Sequence, residues 1–299
     1  MQKLNINLWM SGTGQEAAEF YADALPDATT EVVARYPTEG LLEFQKPLAG
    51  EPLTLWVTVR GQKFTLINAG PDFTPNPSIS IMLNFDPLDY DGNLEAAKAD
   101  LDATWAKLSL GGNVLMELGE YPYSARYGWV QDKYNVSWQL ILSDQEGDRR
   151  PFLMPTLLFG GAAQNRAGEA IAYYKEVFGA RSGMLVTYDE PTESASAGAV
   201  MFADFALEDD WVSVMDSAVP QPFTFGPGVS LEWPCDGQTE LDRVWDALTA
   251  VPEAEQCGWL TDKFGVSWQI VPSNMDELMS RPRAFEHMLA MKKLVIDEF

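Results

Sequence analysis

The sequence predicts an α+β protein made of two tandem repeats, each with two βαβββ modules. The main observation is an internal repeat: segment 128–143, GWVQDKYNVSWQLILS, aligns without gaps on 258–273, GWLTDKFGVSWQIVPS, with nine identities in sixteen positions. The second observation is the order of elements, because each half reads strand, helix, three strands, then strand, helix and further strands. A repeat of this kind predicts duplicated domains of the same fold.

Amphipathic helices are predicted where apolar residues follow the i, i+3, i+4, i+7 spacing. The first helix of each half carries Ala17, Phe20, Tyr21, Ala24 and Leu25, or Ala170, Tyr173, Tyr174, Val177 and Phe178. The second helix carries Leu94, Ala97, Leu101, Trp105 and Leu108, or Leu241, Val244, Trp245 and Leu248. The offset between matching residues falls from 153 at the first helix to 130 at the closing motif. Loop lengths therefore differ between the halves while the order of elements is kept.

Short alternating or β-branched runs predict the strands. In the first half they are 4–10, 29–35, 53–59, 62–68, 78–85, 112–117 and 134–142. In the second half they are 153–159, 183–188, 199–207, 210–216, 228–235 and 264–271. We expect two domains, 1–147 and 151–280, followed by a C-terminal helix, 281–299, that carries the single histidine, His287, on a solvated face.

Charge and composition exclude several classes of protein. With 44 acidic and 20 basic side chains, the formal charge is −24, and the chain lacks the clustered Lys and Arg that bind nucleic acid. One histidine and two cysteines, Cys235 and Cys257, leave little material for a zinc cage, a Ser-His-Asp triad or a Cys-His pair. Two cysteines give no disulfide framework, and no apolar run approaches the roughly 18 residues of a membrane span. We expect a cytoplasmic protein with neither a nucleic-acid nor a membrane partner.

The closing motif GW-x-x-D-K-[YF]-x-VSWQ, the aromatic pairs Phe20-Tyr21 and Tyr173-Tyr174 and the βαβββ order resemble the vicinal oxygen chelate superfamily of glyoxalases and bleomycin-resistance proteins. The segment from Cys257 to Pro272 is most similar to the PhnB-like family, which carries the label 3-demethylubiquinone-9 3-methyltransferase. The resemblance spans nearly the whole chain. It implies two domains, each with a cup-shaped mixed sheet.

In that superfamily the concave face of the cup can hold a divalent metal through His, Gln or Glu side chains. Carried onto this chain, the resemblance implies ligand positions at Asn5, Ser80 and Gln139 in the first half and at Met154, Ser230 and Gln269 in the second, with Asn68 and Asp216 near a fourth position. Methionine and serine are poor ligands for such metals, and neutral Asn and Gln bind weakly without a carboxylate or imidazole companion. We therefore predict no metal and no cofactor.

Strand alternation predicts the cup-facing side chains independently. If Asn5 faces the cup, Asn7 and Trp9 do too, and the same parity separates Ser230 and Glu232 from the apolar residues of their strand. The predicted ligand-binding set is Asn5, Asn7, Trp9, Ser80, Asn84, Gln139, Ser230, Glu232 and Gln269. Parity predicts that Trp138, Trp268 and Cys235 lie in the core. Two roles stay open: Trp9 lines a pocket or an interface, and Glu232 is a general base or a solvated strand-end carboxylate.

These residues favour metal-free binding of a small, uncharged or cationic polar molecule in a cup. One alternative is a metal-dependent glyoxalase- or dioxygenase-type enzyme. Another is the methyltransferase of the family label, which would need a glycine-rich strand-to-helix turn that the sequence lacks. A third is a structural role, in which one repeat supports the other or the pair builds a homodimer. The fold alone does not decide among them.

Overall fold

The computed structural model describes residues 2–41, 43–143 and 149–299, and it confirms the α+β class. The strands are β1 (Asn5–Ser11), β2 (Thr29–Arg35), β3 (Pro52–Val59), β4 (Gln62–Ala69), β5 (Ile79–Phe85), β6 (Asn113–Tyr121), β7 (Ser124–Gln131), β8 (Ser137–Leu142), β9 (Leu153–Phe159), β10 (Arg181–Thr187), β11 (Val200–Leu207), β12 (Asp210–Asp216), β13 (Val229–Cys235), β14 (Trp259–Thr261) and β15 (Ser267–Pro272). The helices are α1 (Gly14–Ala24), α2 (Leu94–Leu108), α3 (Ala167–Phe178), α4 (Gln238–Leu248), α5 (Met275–Met279) and α6 (Ala284–Ala290). No helix in these ranges is long and apolar enough to cross a membrane.

Each of the two sheets combines one module from each half of the chain. The seven-stranded sheet has the order β14-β15-β13-β1-β4-β3-β2, and the eight-stranded sheet has the order β10-β11-β12-β9-β5-β8-β7-β6. Antiparallel pairs join the modules: β1 with β13, where Asn5 lies opposite Glu232, and β5 with β9, where Met82 lies opposite Met154. This refines the predicted architecture, because we expected each half to close its own sheet. Both halves have the same strand pattern, so the pattern does not specify which modules pair.

The predicted domain boundaries, 1–147 and 151–280, stay predictions. Residues 144–148, where the first boundary falls, lie outside the described residues. The matching modules nevertheless keep the repeat order, since the closing VSWQ segments form β8 and β15, the last strand of each half.

The C-terminal segment completes the fourth module, which supplies β13, α4, β14 and β15. In the described chain this module has no counterpart of β6. The backbone N–H groups of Cys257 and Gly258 donate instead to the carbonyls of Met291, at 2.9 Å, and Lys292, at 2.8 Å. The predicted helix over 281–299 is therefore wrong in extent, because only α6 is α-helical and the backbone beyond it is used in this pairing. His287 lies half-buried on α6.

A buried aspartate explains the most specific part of the repeated motif. In the first half, the Asp132 carboxylate accepts hydrogen bonds from the Tyr21 hydroxyl and the Trp138 indole N–H, both at 2.8 Å. Its other oxygen accepts the backbone N–H groups of Tyr134, at 2.8 Å, and Val136, at 3.0 Å. Burial raises the pKa of this carboxyl, and the four donors oppose that rise.

Asp262 has the same four partners in the second half. They are the Tyr174 hydroxyl (2.6 Å), the Trp268 indole N–H (3.0 Å) and the backbone N–H groups of Phe264 (2.8 Å) and Val266 (3.0 Å). In each half the tyrosine comes from a helix on one sheet, and the aspartate precedes the last strand of that half in the other sheet. The bond therefore ties the two sheets together. Trp138 and Trp268 are fully buried, which confirms their predicted place in the core.

Asn68 and Asp216 lie under helices rather than in a cup. The Asn68 Oδ1 accepts the backbone N–H of Gly14, the first residue of α1, at 2.9 Å. Asp216 accepts the backbone N–H of Ala167, the first residue of α3, at 3.2 Å. Each side chain satisfies an N–H group that has no partner within its helix. This accounts for both residues without a ligand role.

We expect Asp132→Ala and Asp262→Ala each to lower the free energy of unfolding by about 2–5 kcal/mol, because each leaves a buried tyrosine hydroxyl and an indole N–H without an acceptor. Equilibrium unfolding in guanidinium chloride measures the loss. Asp23→Ala is the matched control, since its carboxylate is exposed and forms a surface ion pair with Lys107, and it should leave stability nearly unchanged. Losses no larger than that of the control would contradict the role of the buried carboxylates.

A chain cut between residues 143 and 149 should remain associated as two fragments. The β1–β13 and β5–β9 pairs join the halves through backbone hydrogen bonds, and neither sheet is complete in one fragment. Native size-exclusion chromatography of the cut protein at micromolar concentration tests this. Two separately eluting, folded monomers would show that the halves close their own sheets.

Candidate functional site

The face of the seven-stranded sheet away from the helices carries a polar surface that we call the first cup. Its members are Asn5, Asn7 and Trp9 on β1, Trp56 on β3, Lys63 and Thr65 on β4, Ser230 and Glu232 on β13, Trp259 on β14 and Gln269 on β15. The alternate residues, among them Ile6, Leu231 and Trp268, are buried in the hydrophobic core. The structure thus places Asn5, Glu232 and Gln269 on one face, as strand alternation predicts.

A short polar network crosses the joint between the two halves. The Asn7 Nδ2 donates to Oε2 of Glu232 at 3.1 Å, and the Asn5 Nδ2 donates to Thr65 Oγ1 at 2.6 Å. The Asn5 Oδ1 is buried and has no partner among the described residues. A buried oxygen without a donor is uncommon and unfavourable in proteins. The network is therefore incomplete at Asn5.

Within the first cup, the pKa of the Glu232 carboxyl is raised above its usual range. Burial raises the pKa of its carboxyl, while the hydrogen bond from Asn7, the charge of Lys63 and a hydrogen bond from Asn5 lower it. The Asp276 carboxylate, on α5, adds to the rise. The side chain nevertheless keeps partial access to solvent. The structure thus places Glu232 within the sheet and next to two asparagines, and not at a solvated strand end.

Aromatic rings border one side of the first cup. Trp9 packs edge-on against Trp259, with ring centroids 6.0 Å apart, and against Phe73, at 4.9 Å. Its indole N–H donates to the carbonyl of Gly70 at 2.7 Å. On the other side, the Lys63 ammonium lies 3.4 Å from the centroid of the Trp56 ring. Trp9 therefore belongs to the border of the cup.

The corresponding face of the eight-stranded sheet, the second cup, is filled. An apolar cluster of Met82, Met154, Ala206 and Trp211 occupies it, with Ile141 and Phe202 packed against the cluster. Met154 is 1% exposed and Trp211 is 6% exposed. The Arg150 guanidinium lies 3.6 Å from the Trp211 ring centroid and forms an ion pair with Asp204, with Nε and Oδ2 2.7 Å apart. An apolar cluster and an ion pair therefore occupy this part of the second cup.

Predicted site residues of the second cup hydrogen-bond within the protein. The Tyr127 hydroxyl donates to Gln139 Oε1 at 2.8 Å, and Gln139 Nε2 donates to Ser80 Oγ at 2.7 Å. The Asn84 Nδ2 donates to the carbonyl of Pro151 at 2.9 Å. The contacts of Ser80, Asn84 and Gln139 are therefore internal to the protein.

The metal-ligand positions implied by the resemblance regroup in the structure. Asn5, Ser230 and Gln269 share the first cup, and Met154, Ser80 and Gln139 share the second. Gln269 donates an N–H to Ser230 Oγ at 2.9 Å. The groups that act on Glu232 are the amides of Asn7 and Asn5 and the charges of Lys63 and Asp276. Across the described ranges, no three His, Cys, Asp or Glu side chains are placed to hold a metal. The donor set does not fit a transition metal.

Sequence reasoning missed four side chains of the first cup: Trp56, Lys63, Thr65 and Trp259. The first three lie in the alternating runs 53–59 and 62–68, whose parity would have assigned them once one residue of either run was placed. Trp259 lies in β14, which has three residues and so gives no pattern.

Comparisons with known proteins agree with this architecture. A family model described as 3-demethylubiquinone-9 3-methyltransferase matches residues 2–141 and 152–271. A PhnB protein from Bacillus cereus is 30% identical over 48% of this chain and 100% of its own, with a TM-score of 0.39. Glyoxalase I from Zea mays is 12% identical over 92% of this chain and 94% of its own, with a TM-score of 0.50, a likeness that shows the fold alone. No curated protein matches the chain.

Replacing Glu232 by Gln should raise the free energy of unfolding by about 1 kcal/mol at pH 8. Because burial raises its pKa in the folded state, the ionised carboxylate costs stability above that pKa, and the cost disappears as the pH falls below the unfolded pKa, near about 4.3. Urea denaturation should show the gain at pH 8 and none at pH 4. Glu117→Gln, at an exposed glutamate, is the control and should leave stability nearly unchanged. A Glu232→Gln variant destabilised at pH 8 would mark Glu232 as a structural group.

Proposed function

We propose that this chain, which belongs to the PhnB-like 3-demethylubiquinone-9 3-methyltransferase family, binds a small polar molecule in its first cup without a metal ion. The observation that carries the proposal is the difference between two cups built on the same frame. One cup holds an apolar cluster beside polar groups that hydrogen-bond within the protein, and the other presents a carboxylate, amides and a buried oxygen without a partner among the described residues.

The difference is clearest at the joint between modules. The second cup has Met82 opposite Met154, and the first cup has Glu232 opposite Asn5. The methionine pair buries apolar area and is complete without a ligand. The Asn5 oxygen lacks a donor, and an unpaired buried polar group costs about 1–3 kcal/mol. A bound ligand with a donor would remove that cost, which supports a binding role for the first cup.

Methyl transfer, which the family description names, is not part of the proposal. Transfer from a nucleoside-bearing methyl donor usually uses a glycine-rich strand-to-helix turn beside a parallel sheet. The sequence has no G-x-G-x-x-G turn, and both sheets here mix parallel and antiparallel pairs. A metal-dependent lyase or dioxygenase receives no support either, because the donor set of neither cup fits the metal.

A thermal-shift screen of polar metabolites at neutral pH tests the proposal. A true ligand at 100 times its Kd should stabilise the wild-type protein by about 2.7 kcal/mol and so raise its Tm. We expect Asn7→Ala and Glu232→Gln to lose this shift, because both alter the first-cup network. Asn84→Ala, in the second cup, is the matched control and should retain it. The proposed site would be contradicted by ligands whose thermal shift is unchanged in both first-cup variants, or is lost in Asn84→Ala.

A further inference from the structure

The hydrogen-bonding groups of the first cup are unbalanced toward acceptors. Asn5 is 5% exposed, and its Nδ2 donates to Thr65 Oγ1, at 2.6 Å, and to Asn7 Oδ1, at 3.3 Å. The Asn5 amide also hydrogen-bonds to the Glu232 carboxylate. Its Oδ1 has no partner in the described chain. Beside it, Glu232 adds a carboxylate, which only accepts hydrogen bonds when ionised. A ligand that completes this set must bring N–H or O–H donors.

The charges around this network favour a cation. The charged groups that act on Glu232 are Lys63, on β4, and Asp276, on α5. Lys63 already has its ammonium against the face of Trp56, at 3.4 Å from the ring centroid. Two carboxylates against one ammonium leave the cup negative, in a chain of formal charge −24. Such a field concentrates cations and repels anions.

The indole rings at the border are suited to the same ligand class. Trp259 lies opposite Gln269 across one strand pair, and Gln269 lies opposite Glu232 across the next. Two strand spacings, or about 10 Å, therefore separate the backbones of Trp259 and Glu232. Trp9 joins Trp259 at a centroid distance of 6.0 Å. Indole faces attract organic cations, and their edges pack against apolar carbon.

We infer that the ligand of the first cup is a small organic cation with N–H donors, such as a primary ammonium compound. Its ammonium lies between the Glu232 carboxylate and the Asn5 Oδ1, and its carbon skeleton packs against Trp9 and Trp259. The inference rests on the proposed function, since it presupposes a ligand in this cup. A quaternary ammonium would leave the Asn5 oxygen unpaired, a neutral alcohol would gain no charge attraction, and a carboxylate would meet Glu232 and Asp276.

Four probes on one skeleton separate these cases: benzylamine, benzyltrimethylammonium, benzyl alcohol and benzoate. Their Kd values are measured by ligand-observed NMR on the full chain at pH 7.5. We expect benzylamine to bind at least tenfold more tightly than each of the other three. Glu232→Gln and Asn5→Leu should each weaken benzylamine at least tenfold, and Asn84→Ala should not. Lowering the pH through the Glu232 pKa should weaken benzylamine in the wild type but not in Glu232→Gln, because protonation removes the attracting charge.

The outcomes separate the inference from the proposed function. Equal or tighter binding of benzyl alcohol or benzoate, lost in Asn7→Ala, would overturn the cation inference and retain a ligand site in the first cup. Equal binding of the trimethylammonium probe would overturn the donor role assigned to the ligand. Benzylamine binding that is indifferent to Glu232→Gln, or absent altogether, would overturn the inference. Loss of folding in Asn5→Leu, read from circular dichroism, leaves Glu232→Gln and its pH profile as the deciding measurements.

Discussion

The four donors around one buried carboxylate in each half are the interaction on which the rest of the structure depends. A buried charge is costly unless it is fully hydrogen-bonded, and Asp132 and Asp262 each accept two backbone N–H groups, an indole and a tyrosine hydroxyl. The tyrosine lies on a helix that packs on the other sheet. Separating the sheets would therefore leave the buried carboxylate without its hydroxyl donor. This explains why the aspartate, the tryptophan and the helical tyrosine recur in both halves.

With the helix-bearing faces tied in this way, the free faces of the sheets become cups that belong to both halves. Asn7 and Glu232 are 225 residues apart in the sequence and still share a hydrogen bond. Neither half alone contains either cup. The duplication therefore supplies two cups with equivalent positions. Substitutions that place apolar residues in one cup leave the residues of the other cup unchanged. Met82 and Met154 fill the second, and Glu232 and Asn5 keep the first polar.

Strand alternation predicted the faces of Asn5, Ser230 and Glu232 correctly because a period of two is a local property that a single strand reveals. The pairing of β1 with β13 could not be predicted, because β5 has a similar alternating pattern and was an equally suitable partner for β1. The contribution of Trp211 and Arg150 to the second cup could not be predicted either. Strand alternation did not show which face of the sheet these residues lie on. The extent of the C-terminal helix depended on backbone pairing with Cys257, which no helical periodicity records.

The two cups also differ in how much their equivalent positions contribute to stability. A site selected for stability alone would resemble the second cup, where apolar side chains meet across the joint and the Gln139 amide bonds inside the protein. The first cup keeps a carboxylate whose pKa burial raises and an amide oxygen without a donor, and both features lower stability at neutral pH. Glutamine and methionine would each avoid the charge at Glu232, as Met82 does at the matching position. The proposed attraction of a cationic ligand would offset this loss of stability, because it uses the charge that the second cup does without.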